Sequence, residues 1–170
     1  MLHKHREQQA PEEQDSLQTR WSLPTRFADD NDEDAVALQN ELELSWRDIV
    51  ETFCAVSYRV NALGFLPGFT YLGGLPGPLQ CRRLVTPRVR IPSSSVGIAG
   101  NQAGIYPMDS PGGWRILGRL PFTIFNAARP SPALFAPNDQ ITFIPVSQSH
   151  FDELAVDATR GDLDMRQFQQ

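Results

Sequence analysis

Between residues 58 and 146, proline and glycine interrupt the chain so often that no segment long enough for a crossover helix survives. The interruptions separate short runs rich in β-branched and aromatic residues: "YRVNAL" (58–63), "RVRI" (88–91), "SVGIAG" (95–100), "WRILGR" (114–119), "FTIF" (122–125) and "QITFIPV" (140–146). "LPGP" (75–78), "SPGG" (110–113) and "RPSP" (129–132) read as the turns between them. A βαβ architecture is not expected. The expected fold is mainly β, closed into a small barrel or sandwich that leaves no open strand edge.

The helical signal comes earlier. In "LSWRDIVETFCAV", Ser45 with Asp48 makes a shortened capping box, and Trp46, Ile49, Val50 and Phe53 share a face, which predicts a helix over 46–56. A shorter helix is expected over "EDAVALQ" before it, and "SHFDELA" (149–155) reads as one or two turns with Ser149 as cap. Residues 1–20 lack periodic hydrophobes and are predicted to be disordered, as is the tail from about 156 onward. The start, "MLHKHREQQAPEEQDS", is too polar for a signal peptide, and no stretch approaches the roughly 20 apolar residues of a membrane helix. A cytoplasmic protein without membrane or nucleic-acid partners is expected.

The raw material for catalysis is sparse. Cys54 and Cys81 are the cysteines, and His3, His5 and His150 lie toward the two ends of the chain. Structural zinc needs four clustered ligands and a triad needs a base beside its nucleophile, so neither a metal site nor a histidine-based triad is expected. The net charge of −5 conceals a division. Residues 28–43 carry seven acids, whereas residues 79–131 carry seven arginines against the single acid Asp109. Fourteen of the fifteen basic residues are Arg, whose planar fork suits a carboxylate or phosphate. Two readings follow: the arginines pair with the acidic segment, or some hold a small anion.

Two stretches are dense in chemistry. "GFLPGFTYLGGL" (64–75) sets Phe65, Phe69 and Tyr71 around Pro67 among glycines, and such rings either plug a barrel end or wall a ligand pocket. "TPRVRIPSSSVGIAGNQAGIYPMDSPGGWRILGR" (86–119) places Arg88 and Arg90 two apart, on one face if the strand is regular, where they repel unless an anion or acid lies between them. The same stretch carries Ser95, Gln102, Tyr106 and Trp114. Neither stretch is a phosphate-cradling loop, since the glycines do not lead into a helix.

With "PNDQITFIPV" (137–146), these motifs resemble, in order and spacing, the family of carboxyltransferase domain subdomains C and D. That family includes the B subunit of bacterial 5-oxoprolinase, allophanate hydrolase subunit 1 and the KipI-type inhibitor of a sporulation histidine kinase. The resemblance covers about residues 21–146 and implies a cyclophilin-like β-barrel with one or two flanking helices. It implies a helical lead-in at 21–57, with "WSLPTRF" as the remnant of the family's first domain, and a barrel at 58–148; composition adds the disordered segment at 1–20 and the short helix with a flexible tail at 149–170. Gly64, Phe65, Pro67, Gly68, Phe69, Tyr71 and Leu72 match one family motif. Pro87, Arg88, Arg90, Ser95, Gln102, Tyr106 and Trp114 match the central one. The chain departs from the pattern at Phe53, usually His, at Ser94, usually Gly, and at Leu120, usually Thr.

The resemblance implies one component of an ATP-dependent amide-hydrolysing complex, of 5-oxoprolinase or allophanate hydrolase type. Its partners would be a companion carboxyltransferase protein with subdomains A and B, equivalent to the C subunit of 5-oxoprolinase, and the A subunit of that enzyme. ATP would be used by the complex, with no cofactor bound by this chain alone. Arg88, Arg90, Ser95, Gln102, Tyr106 and Trp114 are then the candidate substrate-binding residues. Phe65, Pro67, Phe69 and Tyr71 are expected to close one end of the barrel and form a pocket wall or interface. The alternative is a KipI-like regulatory module that inhibits a histidine kinase by binding, with no chemistry of its own. Self-association is expected where a barrel without its usual partner domain exposes apolar surface.

Overall fold

The computed structural model describes residues 18–170. In chain order its strands are β1 (Arg20–Phe27), β2 (Tyr58–Leu63), β3 (Thr70–Gly73), β4 (Arg88–Ile91), β5 (Ser95–Ala99), β6 (Gln102–Ile105), β7 (Ser110–Gly112), β8 (Arg115–Arg119) and β9 (Gln140–Pro145). The helices are α1 (Glu33–Leu42), α2 (Trp46–Cys54) and α3 (Gln148–Arg160). Seven strands close a barrel in the order β1-β8-β5-β6-β3-β2-β9, and β4 pairs with β7 in a separate ribbon. The fold is mainly β, as the turn-divided runs require, with three helices around it.

The barrel is shut by β1 and β9, which run parallel in register from Arg20 opposite Gln140 to Thr25 opposite Pro145. Residues 21–27, expected as a lead-in to the barrel, are therefore one of its walls. Pro24 conceals the strand in the sequence because proline cannot donate to a ladder. The buried residues Trp21, Leu23, Thr25 and Phe27 nevertheless alternate as a half-buried strand should. "FTIF", expected as a strand, is instead part of an irregular segment in which Phe122 and Ile124 are buried and Phe125 makes an isolated bridge to Ala133, outside the barrel strands. Of the segment read as disordered, residues 1–17 lie outside the described residues, and Arg20 already begins β1.

Helix α2 forms where its cap predicts: the Asp48 N–H donates to Ser45 Oγ at 3.1 Å, and Trp46, Ile49 and Phe53 are buried. Phe53 packs against Tyr58 at 4.9 Å and Phe143 at 5.0 Å between ring centroids, and the Tyr58 hydroxyl donates to the Phe53 carbonyl at 2.9 Å. Where the family pattern has an imidazole, this chain has a fully buried ring of the barrel core.

Helix α1 is held by charge. Strand β1 stops pairing with β8 at Phe27, and the buried Asp34 takes up the next free β8 group, accepting from the Ile116 N–H at 2.8 Å. Arg88 donates to the same carboxylate at 2.9 Å, and Arg115 lies 3.7 Å from both Asp34 and Glu41. The acidic segment thus pairs with part of the arginine-rich segment.

Helix α3 is longer than the one or two turns expected. Ser147, not Ser149, caps it by accepting from the His150 N–H at 3.3 Å. The tail beyond it is not loose: Phe168 stacks on Phe122 at 5.3 Å, and the Gln170 N–H donates to the Arg20 carbonyl at 2.9 Å. Among the described residues no helix is long and apolar enough to cross a membrane.

Candidate functional site

Strands β3, β5 and β6 send alternate residues to opposite faces. Leu72, Ile98, Ala103 and Ile105 join the barrel interior, whereas Tyr71, Ala99 and Gly104 face the outside. Over that outer face fold the 64–69 loop, the β4–β7 ribbon and the turn into Trp114, building a second apolar cluster of Phe69, Ile91, Ala99, Tyr106 and Trp114. The expectation that Phe65, Pro67 and Phe69 close a barrel end is corrected here. Phe69 is buried against the barrel's outer wall, and Pro67 stays exposed on the loop.

The rings reach the wall because β6 lacks a side chain there. A Cβ on Gly104 would stand 2.9 Å from Trp114 Cζ3 and 3.1 Å from the Phe69 ring. Phe69 then sits edge-on to Tyr106 at 4.9 Å and to Trp114 at 5.5 Å, with Tyr71 at 4.7 Å. These rings do not fill the space they enclose. A cavity of about 280 Å³ remains, walled by Phe65, Phe69, Tyr71, Tyr106 and Trp114, with Pro87, Pro111 and Arg83 completing it.

Three features make this cavity a candidate site. The Arg83 guanidinium lies 5.9 Å above the Trp114 ring and enters no ion pair among the described residues, so its donors remain available beside an apolar chamber. Burial pushes the Tyr106 hydroxyl up to about 12, so at neutral pH it is a donor rather than a phenolate. Phe65 is 74% exposed and holds φ +68°, a left-handed backbone that costs a side-chain-bearing residue free energy. The loop is fixed in that shape by Gly64 N–H to the Phe69 carbonyl at 3.1 Å and Phe69 N–H to the Leu66 carbonyl at 3.0 Å.

Of the sequence-predicted residues, the cavity gathers Phe65, Phe69, Tyr71, Tyr106 and Trp114. The other candidates do not line it. Arg88 and Arg90 are separated by an irregular register in β4, and each has its own acid. Arg88 is engaged by Asp34, and Arg90 donates to Asp109 at 2.8 Å. The Asp109 carboxyl is held below its usual range by the Ser93 N–H and then by Arg90. Ser95 Oγ donates to the Pro92 carbonyl at 2.6 Å within a turn, and Gln102 starts β6 at the hairpin opposite Ala99. Sequence reasoning missed Arg83. Its signal, a cation near an aromatic turn, was spread over adjacent Arg82 and Arg83, of which Arg82 points to solvent near Glu41. Among the described residues no group of three or more His, Cys, Asp or Glu side chains is placed to hold a metal ion.

The model of a family described as carboxyltransferase domain, subdomain C and D, matches residues 1–135. Among curated proteins, the chain is 39% identical over 123 residues to the B subunit of 5-oxoprolinase from Escherichia coli O157:H7, covering 72% of this chain and 56% of that protein. To the B subunit of 5-oxoprolinase from Bacillus subtilis it is 37% identical over 109 residues, covering 64% of this chain and 45% of that protein. The chain thus spans about half the length of these curated relatives. Among solved structures, a conserved uncharacterized protein of Pyrococcus horikoshii superposes with a TM-score of 0.73 at 39% identity, covering 78% of this chain and 61% of that one. The K. lactis urea amidolyase superposes with a TM-score of 0.71 over 86% of this chain and 11% of that one, at 20% identity, a likeness of fold alone.

Proposed function

We propose, because this chain belongs to the carboxyltransferase subdomain C and D family, that it is a non-autonomous subunit of an ATP-dependent amide-hydrolysing complex of 5-oxoprolinase or allophanate hydrolase type. Its contribution is the aromatic cavity, one wall of a substrate site completed by a companion protein with subdomains A and B, the 5-oxoprolinase A subunit being the third member. The observation that carries this reading is the rim. Phe65, which lines the chamber, is 74% exposed, Val85 and Val89, two residues either side of the lining Pro87 in sequence, are 101% and 90% exposed, and the lining Arg83 enters no ion pair among the described residues. Apolar groups left in water around a half-built pocket suit a surface that a partner covers. Within the closed site Arg83 meets the substrate's carboxylate, Tyr106 donates a hydrogen bond, and the rings exclude water. Arg88 and Arg90, already neutralised by Asp34 and Asp109, hold the walls.

The test is reconstitution of the chain with the companion protein and the 5-oxoprolinase A subunit, followed by ATP-dependent hydrolysis of 5-oxoproline. Arg83→Gln is expected to raise KM about tenfold, the scale of a lost charge-assisted hydrogen bond, with assembly intact. Phe65→Asp is expected to prevent assembly. A complex that assembles and turns over equally with both variants overturns the reading. Failure to bind the companion, with capture of a histidine kinase instead, favours the regulatory alternative.

A further inference from the structure

A second cavity, of about 440 Å³ and sharing no lining residue with the aromatic chamber, lies between α3 and the end of β8. One wall is a single helical face: Phe151, Ala155 and Ala158 at positions i, i+4 and i+7. The two alanines leave open a gap that larger residues would fill. The opposite wall is the buried pair Leu120 and Phe122.

The mouth carries one cation. Arg119 donates from Nε to the Ser93 carbonyl at 2.9 Å, which fixes the plane of its guanidinium and leaves the two Nη groups without an acid partner among the described residues. Neighbouring arginines differ: Arg88 and Arg115 share Asp34, and Arg90 has Asp109. Asp109 feels the field of Arg119, but its oxygens already accept from Arg90 and the Ser93 N–H. The wall behind Arg119 is rigid. Ser94 holds φ +67° and is 3% exposed, kept there by its hydroxyl donating to the Phe122 carbonyl at 2.7 Å and by the Leu120 N–H donating to its carbonyl at 3.0 Å. A strained residue held by these bonds, and by its own N–H donating to the Tyr106 carbonyl at 2.8 Å, fixes both the loop under the cavity and the carbonyl that aims Arg119.

We propose that this cavity is a binding site for a small aliphatic monocarboxylate: the two free Nη groups of Arg119 take the carboxylate in two-point contact, and the apolar tail lies between Leu120 and the alanine face of α3. One unpaired cation suits one carboxylate. Of the hydroxyls that also line the cavity, those of Ser94 and Thr159 are spent on the Phe122 and Ala155 carbonyls, which leaves the Leu120 and alanine surfaces to meet an aliphatic tail, and the charge excludes an amine. The site is independent of the aromatic chamber and of the function proposed for it.

The test is titration of the purified full chain with hexanoate, followed by amide chemical shifts and by calorimetry, with 1-hexanol and hexylamine as comparisons. Hexanoate is expected to shift the amides of Ser93, Arg119, Ala155 and Ala158 and to bind more tightly than hexanol, with no binding of the amine. Arg119→Gln is expected to weaken binding about tenfold or more, and Arg119→Lys less, since it keeps the charge and loses the fork. Ala155→Trp, which fills the cavity from the helix side, is expected to abolish binding in a chain whose other amides keep their positions. Equal binding of hexanol, an Arg119→Gln chain that binds hexanoate as the parent does, or shifts confined to residues away from α3 and β8 would each overturn the proposal.

Discussion

The same kinds of ring meet opposite fates on the two sides of the barrel wall. Inside, Phe53, Tyr58 and Phe143 pack with centroids about 5 Å apart, and the one hydroxyl among them is spent on a backbone carbonyl. Outside, Phe69, Tyr71, Tyr106 and Trp114 stand at similar separations but enclose a chamber, with an unpaired arginine above and a strained, exposed Phe65 at its edge. Ring type therefore says little about role. What separates the regions is whether the remaining space is filled and whether nearby polar groups are already engaged.

Substitutions sharpen or break that contrast. Phe143→Ala, in the filled interior, is expected to cost about 4 kcal/mol in urea unfolding, because a close-packed site relaxes poorly. Asp34→Ala comes next at about 3 kcal/mol, since it removes the buried acid shared by Arg88 and Arg115 and leaves the Ile116 N–H without its acceptor. Gly104→Ala is expected to cost about 1–2 kcal/mol and to shift tryptophan fluorescence as Trp114 is pushed off the wall. If fluorescence stays fixed, the chamber is not supported by the bare backbone of β6. Phe65→Gly should do the opposite of an interior truncation and gain about 1 kcal/mol by relieving the left-handed strain, while weakening companion binding. A loss of stability there would mean that the loop is core.

Alkaline pH should separate the two regions by the smallest margin. Burial raises Cys81, in the interior, from 9.0 to about 11, and Tyr106, on the outer wall, from 10.0 to about 12. Both are held neutral in the fold, so the unfolded chain releases these protons first. The stability they contribute is fully present below about pH 9 and is lost as pH rises through the folded values. Urea midpoints at pH 8, 10 and 11.5 are expected to fall in that order, with Cys81→Ala reducing the first step and Cys54, which burial also raises from 9.0 to about 11, keeping the rest of it. A midpoint that rises over this range contradicts the assignment.

Much of this was legible in the sequence where one force dominated. β-branched runs gave β2, β5, β8 and β9, and the Ser45 cap gave α2. Strands without a β-branched run were illegible: β1 is divided by Pro24, β6 has Ile105 alone beside Gly104, and β7 is Ser-Pro-Gly. Their pairing is set by neighbours in space, which a linear pattern does not encode. The site divides in the same way. Aromatic density in two motifs marked the chamber, because rings that large must be housed somewhere. The partners of the charged residues are not legible locally: the spacing of Arg88 and Arg90 suggests a shared face, whereas remote Asp34 and nearby Asp109 engage them one each, and nothing in the sequence distinguishes Arg83 from Arg82.

The parallel seam between β1 and β9 also bears on the order of events in folding. Its partners lie 120 residues apart, as Ser22 and Thr142 do. Among the described residues, the strand earliest in the chain is therefore completed only by the latest. Until residue 140 is available, β1 lacks the neighbour on one edge, and the barrel is an open sheet with apolar rings on both faces. Closing so long a loop carries a large entropic cost before any reward, so slow closure is expected. A nascent or truncated chain ending before β9 should be prone to edge-to-edge association.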